Sequence, residues 1–269
     1  MPELIPLTRW LLAAALLAVL VARYPSFARR CARSVTGRLL LGLVVLVAIL
    51  DLGSQGSLWQ VSGAGLALGV YCLLVLTLEG RRPAEVLNAA WPKELVAGLV
   101  LGTLAGGIAL VLAGRGMSPG MDTSLTFGLL AAAIFAGVCE EVLFRGILLR
   151  VSEEKLGSMV ALALSAALFA WVHSKGHRTD TFFAGLALGA CFLATRRLWL
   201  PIGGHVAHNF VLDLLSSGES RRIESALFGG WRTALPYLIF QLVVIGSLLI
   251  VAFRRDHIRP WVGRASPSS

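Results

Sequence analysis

The feature that most constrains this chain is its series of long, charge-poor apolar runs. A helix that crosses a bilayer needs about 20 mostly apolar residues. Within the hydrocarbon, each backbone polar group must also be bonded inside the protein, as a helix does. Nine candidate segments satisfy or approach this, at roughly 4–22, 39–50, 61–78, 95–113, 125–149, 159–173, 181–195, 198–215 and 234–253. The second is short and ends at Asp51, and only Thr195, Arg196 and Arg197 divide the seventh from the eighth. The expected fold is therefore all-α, a polytopic transmembrane helical bundle of eight to nine spans. Charged residues make up 14% of the 269 positions, against about 25% in soluble domains. That excludes a soluble globular enzyme, a disordered chain and a collagen-like repeat.

The net charge is +9, from 24 Lys and Arg against 15 Asp and Glu. The basic residues sit in short runs between apolar segments, which points to topology and anionic headgroups and not to nucleic acid. With the N-terminus outside, the inside segments 23–38, 79–94, 150–158, 196–197 and 254–269 carry 16 Lys and Arg, and the outside parts carry 7. The expected orientation is N-out, C-in, with 150–158 as a connecting loop and 254–269 as a frayed polar tail. Cys31, Cys72, Cys139 and Cys191 are scattered and form no CxxC, so neither a disulfide framework nor a zinc knuckle is indicated. Met1 to Tyr24 resembles a signal peptide but is followed by Arg-rich sequence and no small-residue cleavage site, so it reads as a retained helix. Three regions are expected: 1–115, N-terminal transmembrane helices of unassigned role; 116–218, the core that carries the chemistry; and 219–269, a last transmembrane helix and polar cytoplasmic tail.

Charges are costly inside a bilayer, about 2.5–3.5 kcal/mol for a central Asp or Arg, so intramembrane polar groups need partners or water. The fifth segment holds Glu140, Glu141 and Arg145. Glu141 and Arg145 are i,i+4 and can pair. Glu140 lies about 100° away on a regular helix and has no charge partner there. The sixth segment ends in Phe169-Ala-Trp-Val-His173, with the ring one turn before the imidazole. The eighth contains His205 and Asn209 on one face, with His208 about 60° off that line. Counting from the expected inner ends, Glu140 lies about 13 Å deep, Asn209 about 16 Å and His205 about 10 Å, while His173 comes out near 21 Å. That last value sits several Å out of line.

Glu140-Glu-Val-Leu-Phe-Arg145 matches EExxxR, Phe169–His173 matches FxxxH and His205–Asn209 matches HxxxN. In order and spacing, these motifs resemble the CAAX-protease and bacteriocin-processing family, also called the Abi or type II CAAX prenyl endopeptidase family. The resemblance covers about 125–215. It implies an intramembrane endopeptidase of glutamate type acting on a membrane-associated peptide or protein. It implies Glu140 as general base, His173 as its partner in activating water, and His205 with Asn209 as the oxyanion site. Glu141 and Arg145 would support them. Peptide hydrolysis needs these parts: a base for water, and donors where negative charge develops.

Three alternatives stand beside this reading. The same histidines and glutamates could ligate zinc, although HExxH is absent and the groups come from three helices; the expectation is no cofactor. A cysteine mechanism through Cys139 is weaker, because its side chain points about 100° from Glu140's. A non-enzymatic transporter or immunity-type protein would also bury Glu, His and Arg. The expected partners are membrane lipids and a membrane-associated protein or peptide substrate, with no nucleic acid. The expected location is a cell membrane, as a multi-pass protein of the bacterial inner membrane.

Overall fold

The computed structural model describes Arg23 and residues 91–114, 123–173, 178–215 and 227–259. The chain divides into two compact units, Met1–Val86 and Leu87–Ser269. The segments expected at 4–22, 39–50 and 61–78 lie outside the described residues. In the second unit the elements are α1 (Trp91–Leu112), α2 (Thr123–Glu141), a π-helix (Val142–Leu149), α3 (Arg150–Val172), α4 (Arg178–Thr195), α5 (Trp199–Leu215) and α6 (Trp231–Arg254). Every described element is helical. Three helical runs are long and apolar enough to cross a membrane: Pro92–Leu112, Thr126–Val172 and Trp231–Arg254. Their outward faces stay apolar, with Val111, Trp231 and Phe253 each more than two-thirds exposed. In water such faces would have to be covered; in a bilayer they meet solvent of their own kind.

Two expectations change here. Residues 150–158 are not a loop. The helix carrying Glu140 continues past Leu149 into α3 and breaks only at Gly157, where φ is 71° and ψ is 166°. A Cβ would be strained in that conformation, so glycine makes the turn possible. The reversal sits almost midway between Glu140 and His173, 17 residues after one and 16 before the other. The depth mismatch for His173 came from ending the fifth segment at Leu149, about two turns too early. The second change concerns the tail, which does not fray at once. Residues 255–259 fold back on the bundle. Arg255 donates to the Ala194 carbonyl at 3.2 Å, His257 Nδ1 donates to Leu193 O at 3.1 Å, and Arg259 N–H donates to the Ser158 hydroxyl at 2.7 Å while its carbonyl accepts from Ser158 N–H at 3.0 Å. Nearby, Arg196 takes a positive φ of 59° in the short α4–α5 connection. Its guanidinium grips buried Glu153 through two bonds of 2.5 and 2.8 Å.

Small residues set how close the helices come. Gly98, Gly102 and Gly106 recur every fourth position along one face of α1. A Cβ at Gly98 would strike the Leu200 carbonyl, and one at Gly102 the Gly204 carbonyl. On α5, a Cβ at Gly203 would fall 2.5 Å from the Leu95 carbonyl. The two backbones therefore touch, as small-xxx-small pairs allow. On its other sides α5 meets α2, where Val206 fills the space left by Gly137. Near the end of α1, Ala109, Leu110, Leu212, Leu227 and Tyr237 close a core between α1, α5 and α6. The consequence for function is that α5 is held rigidly, at backbone contact, while it presents His205.

Candidate active site

The site is built from the end of α2, the π-helix, the end of α3 and the middle of α5. Arg145 lies in the π-helix and is fully buried. Its Nη1 donates to Glu141 Oε1 at 2.8 Å and its Nη2 donates to the Gly185 carbonyl of α4 at 3.0 Å. Its guanidinium carbon lies 4.6 Å from the centre of the Phe169 ring. A fully buried guanidinium cannot shed its proton and needs a counter-charge. Glu141, also fully buried, supplies it.

Glu141 Oε1 also meets Nδ1 of His205 at 2.8 Å. A carboxylate only accepts, so the Arg145 pairing dictates the tautomer: Nδ1 of His205 carries a proton. His173 reaches the same condition by another route. It ends α3 in an extended conformation, and its Nδ1 lies 2.7 Å from the Phe169 carbonyl, one of the carbonyls a helix end leaves unbonded. A carbonyl also only accepts, so Nδ1 of His173 is a donor as well. Whenever either ring is neutral, its Nε2 is left with a bare lone pair.

Both Nε2 atoms face Glu140. Its Oε2 lies 3.6 Å from His173 Nε2 and 3.9 Å from His205 Nε2. Those distances are too long for hydrogen bonds, and Oε2 is buried without a protein partner. As a side chain Glu140 is 28% exposed and His173 34% exposed, whereas His205 is 6% exposed. The site is therefore closed at the back and open at the front. Glu140 and Glu141 are neighbours in sequence, yet they engage opposite edges of one imidazole, Glu141 at Nδ1 and Glu140 toward Nε2. The regular helix gives way to the wider π-helix directly after them, a device often found at functional sites. The loosened backbone is not left unbonded, since Ser165 donates to the Phe144 carbonyl at 2.9 Å.

The structure thus gathers Glu140, Glu141, Arg145, His173 and His205. Asn209 stands one turn past His205 on α5, half-buried, and its side chain interacts with neighbouring His208. His208 also lies 3.3 Å from the Tyr237 hydroxyl on α6. Cys139 is half-buried beside Glu140, and Cys191 is buried on α4. Phe169 joins the cluster as well. Its ring lies 4.5 Å from His173 and 5.8 Å from His205, with Phe144 edge-on at 5.0 Å. It packs the back of the site and covers the guanidinium. The FxxxH pattern contained that signal. The Gly185 carbonyl carried none, because a backbone acceptor leaves no trace in residue identity. Among the described residues, no group of three or more His, Cys, Asp and Glu has the arrangement to hold a metal ion.

Residues 122–211, about a third of the chain, match the protein family described as Type II CAAX prenyl endopeptidase Rce1-like. The match spans all three motifs and agrees with the resemblance read from them. No curated protein matches the sequence. The matched family implies a peptidase, and with the three membrane-length runs it makes this a membrane protein.

Proposed function

We propose that the chain is an intramembrane endopeptidase that cleaves a membrane-associated peptide or protein with water activated by Glu140 and His173. One observation carries the reading. Glu140 Oε2 faces the two Nε2 atoms at 3.6 and 3.9 Å without a hydrogen bond, and with both rings neutral the three are acceptors with no protein donor among them. Such a cluster calls for a molecule with protons to give. A water seated off the Glu140–His173 line, about 2.8 Å from each, satisfies both acceptors and leaves its lone pairs free to attack. Glu140 takes a proton as the water attacks the scissile carbonyl. Asn209, and His205 once its Nε2 carries a proton, are the donors for the oxyanion that forms. The matched family supports peptide bond hydrolysis. The substrate is read as a membrane protein or peptide because Thr126–Val172, the run that carries Glu140, Glu141 and Arg145, is itself of membrane length.

The test is comparative membrane proteomics of cells carrying wild type or Glu140→Gln at equal expression. A protein or leader that persists uncleaved only with Glu140→Gln supports the reading. Identical membrane proteomes would oppose it and favour a transporter or binding protein. Treatment with chelator decides the rival mechanism: cleavage should survive it, and loss restored by zinc would make the enzyme a metalloprotease.

A further inference from the structure

The glutamate-base reading leaves one feature of the site without a task. His205 is backed by a buried carboxylate, which is itself clamped by a buried guanidinium. An oxyanion donor alone would not need this. A neutral imidazole with its proton on Nε2 could serve, and the geometry forbids that tautomer. Nδ1 must donate to Glu141 Oε1 at 2.8 Å, because Arg145 holds the same oxygen as a carboxylate. In the neutral ring Nε2 is therefore bare, 3.9 Å from Glu140 Oε2. A bare nitrogen beside the base is poorly placed to donate and well placed to receive.

Resting on the peptidase reading, we infer that His205 is the proton carrier of the reaction and Glu141 its positioning residue, with Arg145 fixing Glu141 in the charged state. The proton balance closes. Water loses one proton to Glu140 as its oxygen bonds the scissile carbon and the carbonyl electrons move onto oxygen. That proton passes from Glu140 to Nε2 of His205. The resulting Nε2–H first faces the oxyanion. It then protonates the leaving nitrogen as the C–N bond breaks and the carbonyl re-forms. Water's second proton stays on the new carboxyl group, and Glu140 and His205 return to their starting states. While His205 is charged, Glu141 lies against its far edge as counter-charge, in a setting where Coulombic terms are strong. The charged groups around the ring are Glu140, Glu141 and Arg145, and the neighbouring imidazoles are His173 and His208. The arrangement gives adjacent glutamates separate tasks. Glu140 works at the front of the ring and Glu141 at the back. The π-helix that follows them belongs to the same segment as the pair.

The test reads the tautomer directly and needs no substrate. The full chain is labelled with 15N-histidine and 13C-glutamate and reconstituted in bilayers. The His205 signals are assigned by their loss in His205→Gln. In wild type, solid-state NMR should find the His205 proton on Nδ1, with that nitrogen dipolar-coupled to a glutamate carboxyl carbon. In Glu141→Gln/Arg145→Met, which removes both buried charges together, the coupling should vanish and the Nε2–H form should appear. A wild-type proton on Nε2, or a folded double variant that keeps wild-type His205 signals, overturns the inference. If the double variant does not fold, the wild-type spectrum alone still decides. A second arm uses the membrane protein that accumulates with Glu140→Gln. The folded double variant should cleave it about 10²-fold or more slowly, in the range of general acid–base contributions. Wild-type cleavage by that variant also overturns the inference. Should Glu140→Gln change nothing in the membrane, the peptidase reading fails while the NMR result stands by itself.

Discussion

Glu140 and Glu141 are adjacent in sequence and opposite in circumstance. Glu141 is fully buried, and one of its oxygens serves both Arg145 and His205. Glu140 is partly exposed, and its inward oxygen faces two imidazole nitrogens with no bond to either. Glu141 makes two charge-assisted bonds through Oε1 while its Oε2 is buried and unbonded, and removal of Arg145 strands its charge. Glu140 has no such pair, and its Oε2 faces the two imidazoles from beyond hydrogen-bond distance. On the proposed reading the same helix end carries one glutamate that builds the site and one that works in it. The two should separate cleanly when mutated.

Glu140→Gln gives the largest effect. Loss of the base should slow cleavage by about 10⁴-fold, while the melting temperature in detergent stays at the wild-type value. A variant that is inactive because it is unfolded would break the comparison. Next comes the buried pair. Arg145→Ala should destabilise by about 3–5 kcal/mol, because Glu141 is left charged and alone. Folded yield should fall with it. Glu141→Gln/Arg145→Met should recover the yield, measured by size-exclusion profile and thermal melt. If Arg145→Ala melts like wild type, Arg145 is not the structural partner described here. Asn209→Ala removes a single donor and should cost about 10²–10³ in cleavage rate without loss of fold. The smallest expected effect lies in the glycines that seat α5. Gly102→Leu would drive a side chain into the Gly204 carbonyl and should cost about 1–3 kcal/mol. Gly107→Ala meets nothing within 4 Å and should be neutral or slightly stabilising in the same melt.

The parts of this fold that could be read in the sequence were those where the bilayer leaves one solution. Apolar length placed α1, α4, α5 and α6, and the start of α2, to within a few residues, because a span must be long and apolar whatever it packs against. The i,i+4 spacing of Glu141 and Arg145 foretold their bond. Three features stayed hidden. The turn at Gly157 did so because Arg150, Glu153 and Lys155 look like a loop between spans; in fact Glu153 is buried against Arg196 and the helix runs on through them. The docking of residues 255–259 did so because it uses mostly backbone groups and carbonyl acceptors, which any sequence supplies. The meeting of Glu140 and Glu141 on one imidazole did so because helical-wheel arithmetic sets them about 100° apart. That arithmetic concerns the direction of Cβ, and two long side chains can still converge on opposite edges of a ring a few ångströms across. Residue types brought these side chains forward as candidates. That Glu141 and Glu140 lie on either side of His205 appears only in the structure.

On the proposed reading Glu140, its Oε2 facing two imidazole nitrogens without a bond, activates the water that cuts a membrane-associated chain. The most direct test mixes purified, metal-stripped wild type or Glu140→Gln in bilayers with the membrane protein that accumulates when Glu140 is lost, in H2 18O. The account predicts that wild type cuts it and leaves one 18O in the new carboxyl terminus, and that folded Glu140→Gln leaves it whole. Cleavage by Glu140→Gln at a comparable rate, or none by wild type until a metal is restored, would contradict it.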